Sequence, residues 1–167
     1  MAARRKGRIL AFQALYSWDV HYSQTGDVSI PDGLLDFSWN ARDGETPSLD
    51  DELAAFSRLL IIGTVENITR IDNMIQKHLK NWDIQRLNRV DLALLRMSVY
   101  TLMFQTDIPH TIVIDEAIGI SKEFGADDSY RFVNGVLDGI QKTLASRPQA
   151  ESTTSPQRGG VLNPRQE

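Results

Sequence analysis

The residues that could perform acid–base or metal chemistry are few and poorly spaced. The three histidines, His21, His78 and His110, are not spaced along the sequence as pairs of metal ligands are, for example in the HExxH motif. The sequence therefore predicts no metal site. Asp115 and Glu116 are adjacent, and adjacent helical residues point in different directions, which favours structural pairing over general acid–base catalysis. The sequence has no glycine-rich phosphate loop and no catalytic constellation, and it therefore predicts neither an enzyme nor a cofactor.

Cationic and aromatic side chains offer a different chemistry, the binding of single-stranded RNA. Positive charge holds the phosphates, and unpaired bases stack on aromatic rings. Three segments carry such side chains, namely Arg4, Arg5, Lys6 and Arg8, then Lys77 and Lys80, and finally Tyr130, Arg131 and Phe132. We expect these segments to converge on one surface. Helical periodicity alone favours ordinary packing of the two rings at a helix start, and a basic amino terminus alone favours solvated helix ends for the cations.

The distribution of charge supports a selective anion-binding face. The net charge of the chain is −4, yet its first 20 residues carry four cations against Asp19 alone. Residues 21–57 are strongly acidic, and a second basic stretch follows with Lys77, Lys80, Arg86 and Arg89. An acidic protein with compact basic patches is the pattern expected when one face binds a polyanion.

Length and composition indicate one domain. With 167 residues, of which 41% are hydrophobic, the chain is long enough for one core and short for two. We assign residues 1–147 to this domain and residues 148–167, which lack apolar periodicity, to a disordered tail. The absence of cysteine suits a reducing cytosol, and the longest aliphatic run, residues 59–62, is far shorter than the ~20 residues of a membrane span. The sequence therefore predicts a cytoplasmic protein without a membrane segment.

Residues 90–104, VDLALLRMSVYTLMF, predict a buried helix around which the other elements are organised. Apolar residues fall on every side of it, so no solvent-facing side can be drawn. Asn88 is placed to cap its first turn, and Asp91 occupies the position that completes a capping box. Because an unpaired buried guanidinium costs several kcal/mol, Arg96 needs a partner, and we expect Asp115 or Glu116 to be that partner.

Apolar spacing at three and four residues predicts the remaining helices. They cover residues 5–22, 34–39, 48–79 with a bend near Gly63 or Asn67, 112–124, and a last helix that Asp128 or Ser129 caps and Pro148 ends. Gly125 is expected to close its helix in the left-handed conformation. Gly7 weakens the first helix, so we expect residues 4–7 to form a flexible arm that orders on a ligand. The predicted fold class is all-α, a single domain of about six or seven helices around residues 90–104.

Four blocks of the sequence closely resemble the bacterial NusB family. They are AFQALYSW in the first helix, VDLALLRMSVY in the buried helix, IPHTIVIDEAIGISKEFG after it and DDSYRFVNGVLDGI near the end, and the likeness extends from about Arg4 to Leu144. The resemblance implies two packed helical bundles. It also implies a non-enzymatic transcription antitermination factor that binds the boxA element of ribosomal RNA leader transcripts. This factor acts with NusE, a small-subunit ribosomal protein, and joins the antitermination complex on RNA polymerase.

The same resemblance suggests roles for individual residues. The family's arginine-rich start, the helix after it and its late RNA-contacting motif correspond to Arg4, Arg5, Lys6, Arg8, Gln13, Asp128, Tyr130, Arg131 and Phe132. For Phe132 this correspondence favours base stacking over core packing. The NusE-facing surface of the family corresponds to Tyr16 and Asp91, with Arg86 and Arg89 as further candidates.

Two alternative functions stay open at this point. NusB-like domains also form the amino-terminal part of RNA cytosine methyltransferases, so the chain could present RNA to a separate methyltransferase. It could also be a structural homodimer, a state that some relatives show. The acidic segment 23–47 and the tail after Pro148 depart from the family core, and either could tune dimer formation.

Overall fold

Helices account for the regular structure. The computed structural model describes residues 2–41 and 49–147, and in these ranges it contains seven α-helices, two short 3₁₀ helices and no strand. The α-helices are α1 (Ala2–Thr25), α2 (Asp32–Leu35), α3 (Asp51–Glu66), α4 (Ile68–Lys77), α5 (Arg89–Phe104), α6 (His110–Phe124) and α7 (Ser129–Ala145), and the 3₁₀ helices are Ser38–Asn40 and Ile84–Arg86. The predicted all-α fold class is confirmed. The predicted tail lies outside the described residues.

Helix α5 lies at the centre of the molecule. Residues 91–101 are all buried, and α1, α3, α4, α6 and α7 pack against this helix. Helices α1 and α3 also pack on each other, as do α6 and α7, so two helical groups share α5 and one continuous core. A helix that is apolar on every side can be accommodated only in such a central position.

No helix in the described part of the chain combines the length and the apolar composition that crossing a membrane requires.

The start of α5 is capped by only one of the two predicted interactions. The side chain of Asn88 accepts a hydrogen bond from the Val90 N–H at 2.8 Å, which confirms Asn88 as the cap. Asp91 does not complete a capping box, so that prediction is wrong. The Asp91 side chain turns toward α7 instead, where its Oδ2 accepts a hydrogen bond from Ser129 Oγ at 3.2 Å.

The predicted partners of Arg96 are wrong. Arg96 donates to both carboxylate oxygens of Asp72 at 2.8 Å and to Asp19 Oδ1 at 2.6 Å. These carboxylates come from α4 and α1, the helices that face Arg96, whereas Asp115 is exposed and Glu116 faces the first turns of α1. Choosing between the acids requires knowing which helices pack beside Arg96.

The start of α1 is an ordered helix, so the predicted flexible arm is wrong. Gly7 is buried, and a Cβ added there would lie 2.6 Å from the Phe56 ring of α3. Ser57 Oγ donates a hydrogen bond to the Gly7 carbonyl at 3.1 Å. The glycine therefore permits close approach of α1 to α3, and its cost in helix propensity is offset by this packing.

The predicted bend in the long helix is confirmed at Asn67. There the chain divides into α3 and α4, and the Asn67 side chain donates to the Gly63 carbonyl at 2.8 Å. The predicted cap Ser48 lies outside the described residues. The short helix expected over residues 34–39 is divided between α2 and the first 3₁₀ helix.

Two predicted helix caps near residue 125 differ from the structure. Gly125 ends α6 with a φ of −89° and an extended backbone, so the left-handed prediction is wrong. Its small size is used differently, because a Cβ there would lie 2.7 Å from the Ser121 carbonyl oxygen. Helix α7 begins at Ser129, and Asp128 precedes it without a side-chain capping bond.

Candidate nucleic-acid interface

Two cations at the start of α1 stack on α3. The guanidinium carbons of Arg4 and Arg8 lie 4.3 and 5.5 Å from the centre of the Phe56 ring. Arg4 also reaches Glu52 at 3.5 Å, and both members of that pair are exposed. Burial lowers the pKa of Arg8 from its ordinary value, but an arginine stays charged at neutral pH. Both side chains therefore keep their positive charge at the protein surface.

Arg5 turns the other way, toward α6. Its Nη2 donates to Glu123 Oε2 at 3.0 Å, and its Nη1 lies 3.6 Å from Glu116 Oε2. Gly119 stands between these carboxylates along the helix, and a Cβ there would lie 2.8 Å from Arg5 Nη1. Glu116, Gly119 and Glu123 are three and four residues apart, so they lie on one face of α6. The two carboxylates hold the Arg5 guanidinium there, and the glycine leaves room for it.

Tyr130 is held between two cations at the start of α7. The Lys122 ammonium lies 4.8 Å from the centre of its ring, and the Arg131 guanidinium carbon lies 5.7 Å away. Arg131 Nε also donates to the Tyr130 hydroxyl at 3.1 Å, and this bond raises the pKa of Arg131. Arg131 is exposed, whereas Phe132 is half-buried and packs against the core. One part of the Phe132 ring therefore packs in the core, as the alternative interpretation predicts, and the other part is accessible.

The last turn of α6 joins the start of α1 to the start of α7. Glu123 contacts Arg5, and the preceding residue, Lys122, contacts Tyr130. Two of the three segments expected to converge are thus brought together. We call this region the α1–α7 surface; it comprises Arg4, Arg5, Lys6, Arg8, Lys122, Tyr130, Arg131 and Phe132. The sequence pattern does not mark Lys122 and Glu123, because their role depends on α6 lying between the two other helices.

Lys77 and Lys80 are not part of this convergence. His78, which lies between them, shares a hydrogen bond with Thr143 Oγ1 at 2.8 Å. Thr143 follows Arg131 by 12 residues on α7, so the two positions are about 18 Å apart along the helix axis. The end of α4 therefore lies beside the opposite end of α7.

The remaining predicted RNA-binding residues differ in exposure. Lys6 is exposed on α1, and Asp128 is exposed in the turn before α7. Gln13 is half-buried and lines a groove of about 490 Å³ together with Leu34 and Trp39. Lys6 and Asp128 are thus accessible, whereas Gln13 lies against the segment that follows α1.

The residues predicted to face a protein partner fall into two groups. Tyr16 is 40% exposed on α1, and one turn later Asp19 accepts a hydrogen bond from Arg89 at 2.6 Å. Residues three apart on a helix are neighbours, so Tyr16 and Arg89 lie on adjoining parts of the surface. Arg86 is exposed in the 3₁₀ helix before α5. Asp91 is only 7% exposed and has little surface to offer a partner.

Asp91 instead connects the start of α5 to the first residue of α7. Its Oδ2 accepts the hydrogen bond from Ser129, whereas its buried Oδ1 has no hydrogen-bond partner among the described residues. Burial raises the pKa of Asp91, and the bond from Ser129 opposes this effect more weakly. Asp91 and Ser129 therefore position the first turn of α7, which carries the aromatic residues.

The described residues contain no cluster of three histidine, cysteine or carboxylate side chains that could hold a metal ion. His78 uses both ring nitrogens within the fold, one toward Thr143 and the other toward the Met74 carbonyl at 2.9 Å.

Comparison with known proteins identifies the family. The model of the NusB family matches residues 5–142. The transcription antitermination protein NusB of Treponema denticola is 53% identical over 138 residues, which cover 83% of this chain and 95% of that protein.

The solved NusB of T. maritima is 35% identical, with a TM-score of 0.69 over 83% of this chain and 90% of that chain. A structure of the antitermination factors NusB and NusE with double-stranded RNA contains a chain that is 27% identical, with a TM-score of 0.70 over 86% of this chain and 98% of that one. By sequence and by fold, this chain belongs to the NusB family of transcription antitermination proteins.

Proposed function

We propose that this chain is a non-enzymatic adaptor that binds single-stranded boxA RNA and NusE on adjoining surfaces. It then joins the antitermination complex on RNA polymerase in the cytoplasm. The family supports this proposal, because a related chain has been solved together with NusE and RNA. The proposed RNA binding is supported by the α1–α7 surface. There the consecutive residues Lys122 and Glu123 contact Tyr130 and Arg5, respectively.

The cations and the rings of this surface have different tasks. Arg4, Arg5 and Arg8 contact phosphates, which every RNA carries, so they contribute affinity without sequence preference. Phe132, with the part of its ring that the core leaves uncovered, stacks on an unpaired base and contributes to discrimination. Lys77 and Lys80 contribute little, because they lie near the far end of α7.

NusE binds the adjoining part of α1 around Tyr16, together with Arg89 and Arg86. The α1 helix carries both this region and the cations that face RNA, and Arg89 anchors it to α5 through Asp19. A partner that holds α1 against α5 also fixes the position of the α1 cations relative to α7. Each ligand is therefore expected to raise the affinity for the other by the same factor.

The test of the RNA part is a titration of boxA RNA and a scrambled strand of equal length over a range of salt concentrations. Arg4, Arg5 and Arg8 are replaced together by glutamine, and the matched control replaces Lys77 and Lys80 by glutamine. The triple variant is expected to bind both RNAs more weakly. Its slope of log affinity against log salt is expected to fall by about 2, since each single-strand phosphate contact contributes about 0.7. The control variant is expected to keep a slope close to that of the parent.

The Phe132→Ala variant tests the division of labour. It is expected to lower the preference for boxA over the scrambled strand while leaving the salt slope unchanged, because stacking is worth about 1–3 kcal/mol per base and involves no counterion release. If the triple arginine variant and Phe132→Ala each lost the same affinity for boxA as for the scrambled RNA, the different tasks assigned to the cations and to Phe132 would be contradicted. A boxA duplex serves as the control for the single-stranded preference.

Repeating the titration with NusE, while light scattering follows the mass, tests the adaptor part. A ternary complex with reciprocal enhancement of affinity is expected. A dimer that responds to neither RNA nor NusE would instead favour the structural homodimer.

A further inference from the structure

An open groove runs beside the cations of α1, between α3 and the connection from α5 to α6. Its volume is about 420 Å³, within the range of about 300–1,000 Å³ that is typical of small-molecule sites. Phe56, Leu59 and Ile112 provide apolar walls. Leu59 and Ile112 are 48% and 37% exposed, although large aliphatic side chains are usually covered. The groove thus offers apolar surface that the fold itself leaves open.

Polar groups of complementary kinds also face this groove. Arg4 and Arg8 line it, and both are cations of the α1–α7 surface. Gln105, Asp107 and Glu116 line it as well, and the buried atoms Gln105 Oε1 and Glu116 Oε2 have no hydrogen-bond partner among the described residues. Arg5 lies 3.6 Å from Glu116 Oε2, an ionic contact that leaves this oxygen without a hydrogen bond. Leaving a buried acceptor unpaired costs about 1–3 kcal/mol, so the Gln105 oxygen would gain from a ligand that donates, and the Glu116 oxygen would add a hydrogen bond to its ionic contact.

The lining favours a ligand that is partly apolar, presents N–H donors to the two oxygens and carries negative charge near Arg4 and Arg8. A nucleotide meets these conditions, because its base enters an apolar slot and its phosphate contacts arginine. Among the four RNA bases, guanine alone presents two adjacent donors, N1–H and N2–H₂, without an acceptor between them. Adenine and cytosine each pair a donor with an acceptor on this edge, and uracil has one donor between two carbonyls.

We infer that the groove lined by Gln105 and Glu116 is a guanine-specific subsite for one nucleotide of the bound RNA. The Glu116 carboxylate and the Gln105 amide oxygen accept from the guanine edge, while Arg4 and Arg8 contact the flanking phosphates. This inference rests on the proposed RNA-binding function and adds a determinant of sequence preference to it. A subsite in the groove also explains why the arginines of α1 point in different directions. Arg5 faces α6, whereas Arg4 and Arg8 line the groove.

The first test leaves the protein unchanged and varies the RNA. The probes are uridine octamers in which one central position is uracil, guanine, inosine or adenine, with boxA RNA as the reference. Guanine is expected to bind about tenfold more tightly than adenine or uracil, the size of one good base-edge contact. Inosine, which lacks the N2 amino group, is expected to fall between guanine and adenine. Equal affinity for all four octamers, with boxA binding intact, would overturn the inference and leave the proposed function standing. Failure of boxA RNA to bind would overturn both.

The second test compares Glu116→Gln with the matched control Glu123→Gln. Each variant removes one carboxylate partner of Arg5, but only Glu116 lines the groove. Glu116→Gln is expected to abolish most of the guanine preference, and Glu123→Gln is expected to retain it. Gln105→Met removes the other acceptor while keeping the side-chain length, and a smaller loss of preference is expected.

An unchanged guanine preference in both Glu116→Gln and Gln105→Met would overturn the assignment. If those variants instead weakened NusE binding, the groove would belong to a protein interface.

Discussion

Replacing Arg96 with methionine tests whether a buried ion cluster holds α1 and α4 on α5. The cluster consists of Asp19, Asp72, Arg89 and Arg96. The Arg96 side chain is 4% exposed and donates at 2.6 Å to Asp19 and at 2.8 Å to both oxygens of Asp72. Methionine keeps an unbranched apolar stem but donates no hydrogen bond. The substitution therefore removes a charge while leaving both carboxylates in place.

The cost of Arg96→Met follows from what those carboxylates retain. Removing one member of a buried ion pair costs about 3–5 kcal/mol. Asp19 is 3% exposed but keeps Arg89 at 2.6 Å, and Asp72 is 23% exposed and reaches water. We therefore expect the lower part of that range, about 3–4 kcal/mol. The matched control is Arg89→Met, which removes a 45% exposed arginine from the same Asp19 and is expected to cost about 1 kcal/mol.

Urea unfolding followed by circular dichroism at neutral pH measures both changes. With a slope of about 1–3 kcal/mol per molar urea, Arg96→Met is expected to lower the midpoint by about 2 M and Arg89→Met by about 0.5 M. Equal losses of less than about 1 kcal/mol in the two variants would show that the buried ion cluster does not hold these helices together, because burial would then not distinguish the two arginines.

Two further predictions concern packing and titration. Gly63→Ala is expected to destabilise the protein by about 1–3 kcal/mol, because the added Cβ would overlap the buried Tyr100 ring. Gly135→Ala is expected to stabilise the protein by about 0.5–1 kcal/mol, because Gly135 lies on α7 with open space around it and alanine has the higher helix propensity. Thermal and urea unfolding measure both, and equal signs would contradict the prediction. Asp91→Asn still accepts the hydrogen bond from Ser129 but cannot ionise. Because burial raises the folded-state pKa of Asp91 above its ordinary 3.8, the contribution of Asp91 to stability falls as pH rises from 3.8 through the raised pKa. The stability of the variant relative to the parent is therefore expected to increase from acidic to neutral pH, and a difference that does not change with pH would contradict this prediction.

Local pattern was sufficient to predict most helices and some of their ends. The all-round apolar segment predicts the buried α5, and Asn88 caps it as its residue type and position indicate. The end of α6 at Phe124 and the break at Asn67 also agree with the sequence. These features depend on hydrogen bonds and apolar periodicity within a few residues, which the order of residues along the chain already contains.

Glycines show where local pattern failed. Gly7 and Gly125 suggest flexibility and a left-handed cap, but both are needed because a neighbouring group approaches closely. In one case that group is the Phe56 ring, and in the other it is the Ser121 carbonyl. Only the packed structure distinguishes a glycine needed for its dihedral angles from a glycine needed for its size.

The order of residues along the chain is enough to predict the all-α class, the central helix, the cationic and aromatic segments and, through its resemblance, the family. Which charges meet depends on how the helices pack. Arg96 binds acids that are 77 and 24 residues away along the chain, and the last turn of α6 joins the cations of α1 to the rings of α7 while excluding Lys77 and Lys80. Electrostatic and packing energies depend on distances in space, and those distances are set by the helices that share the core.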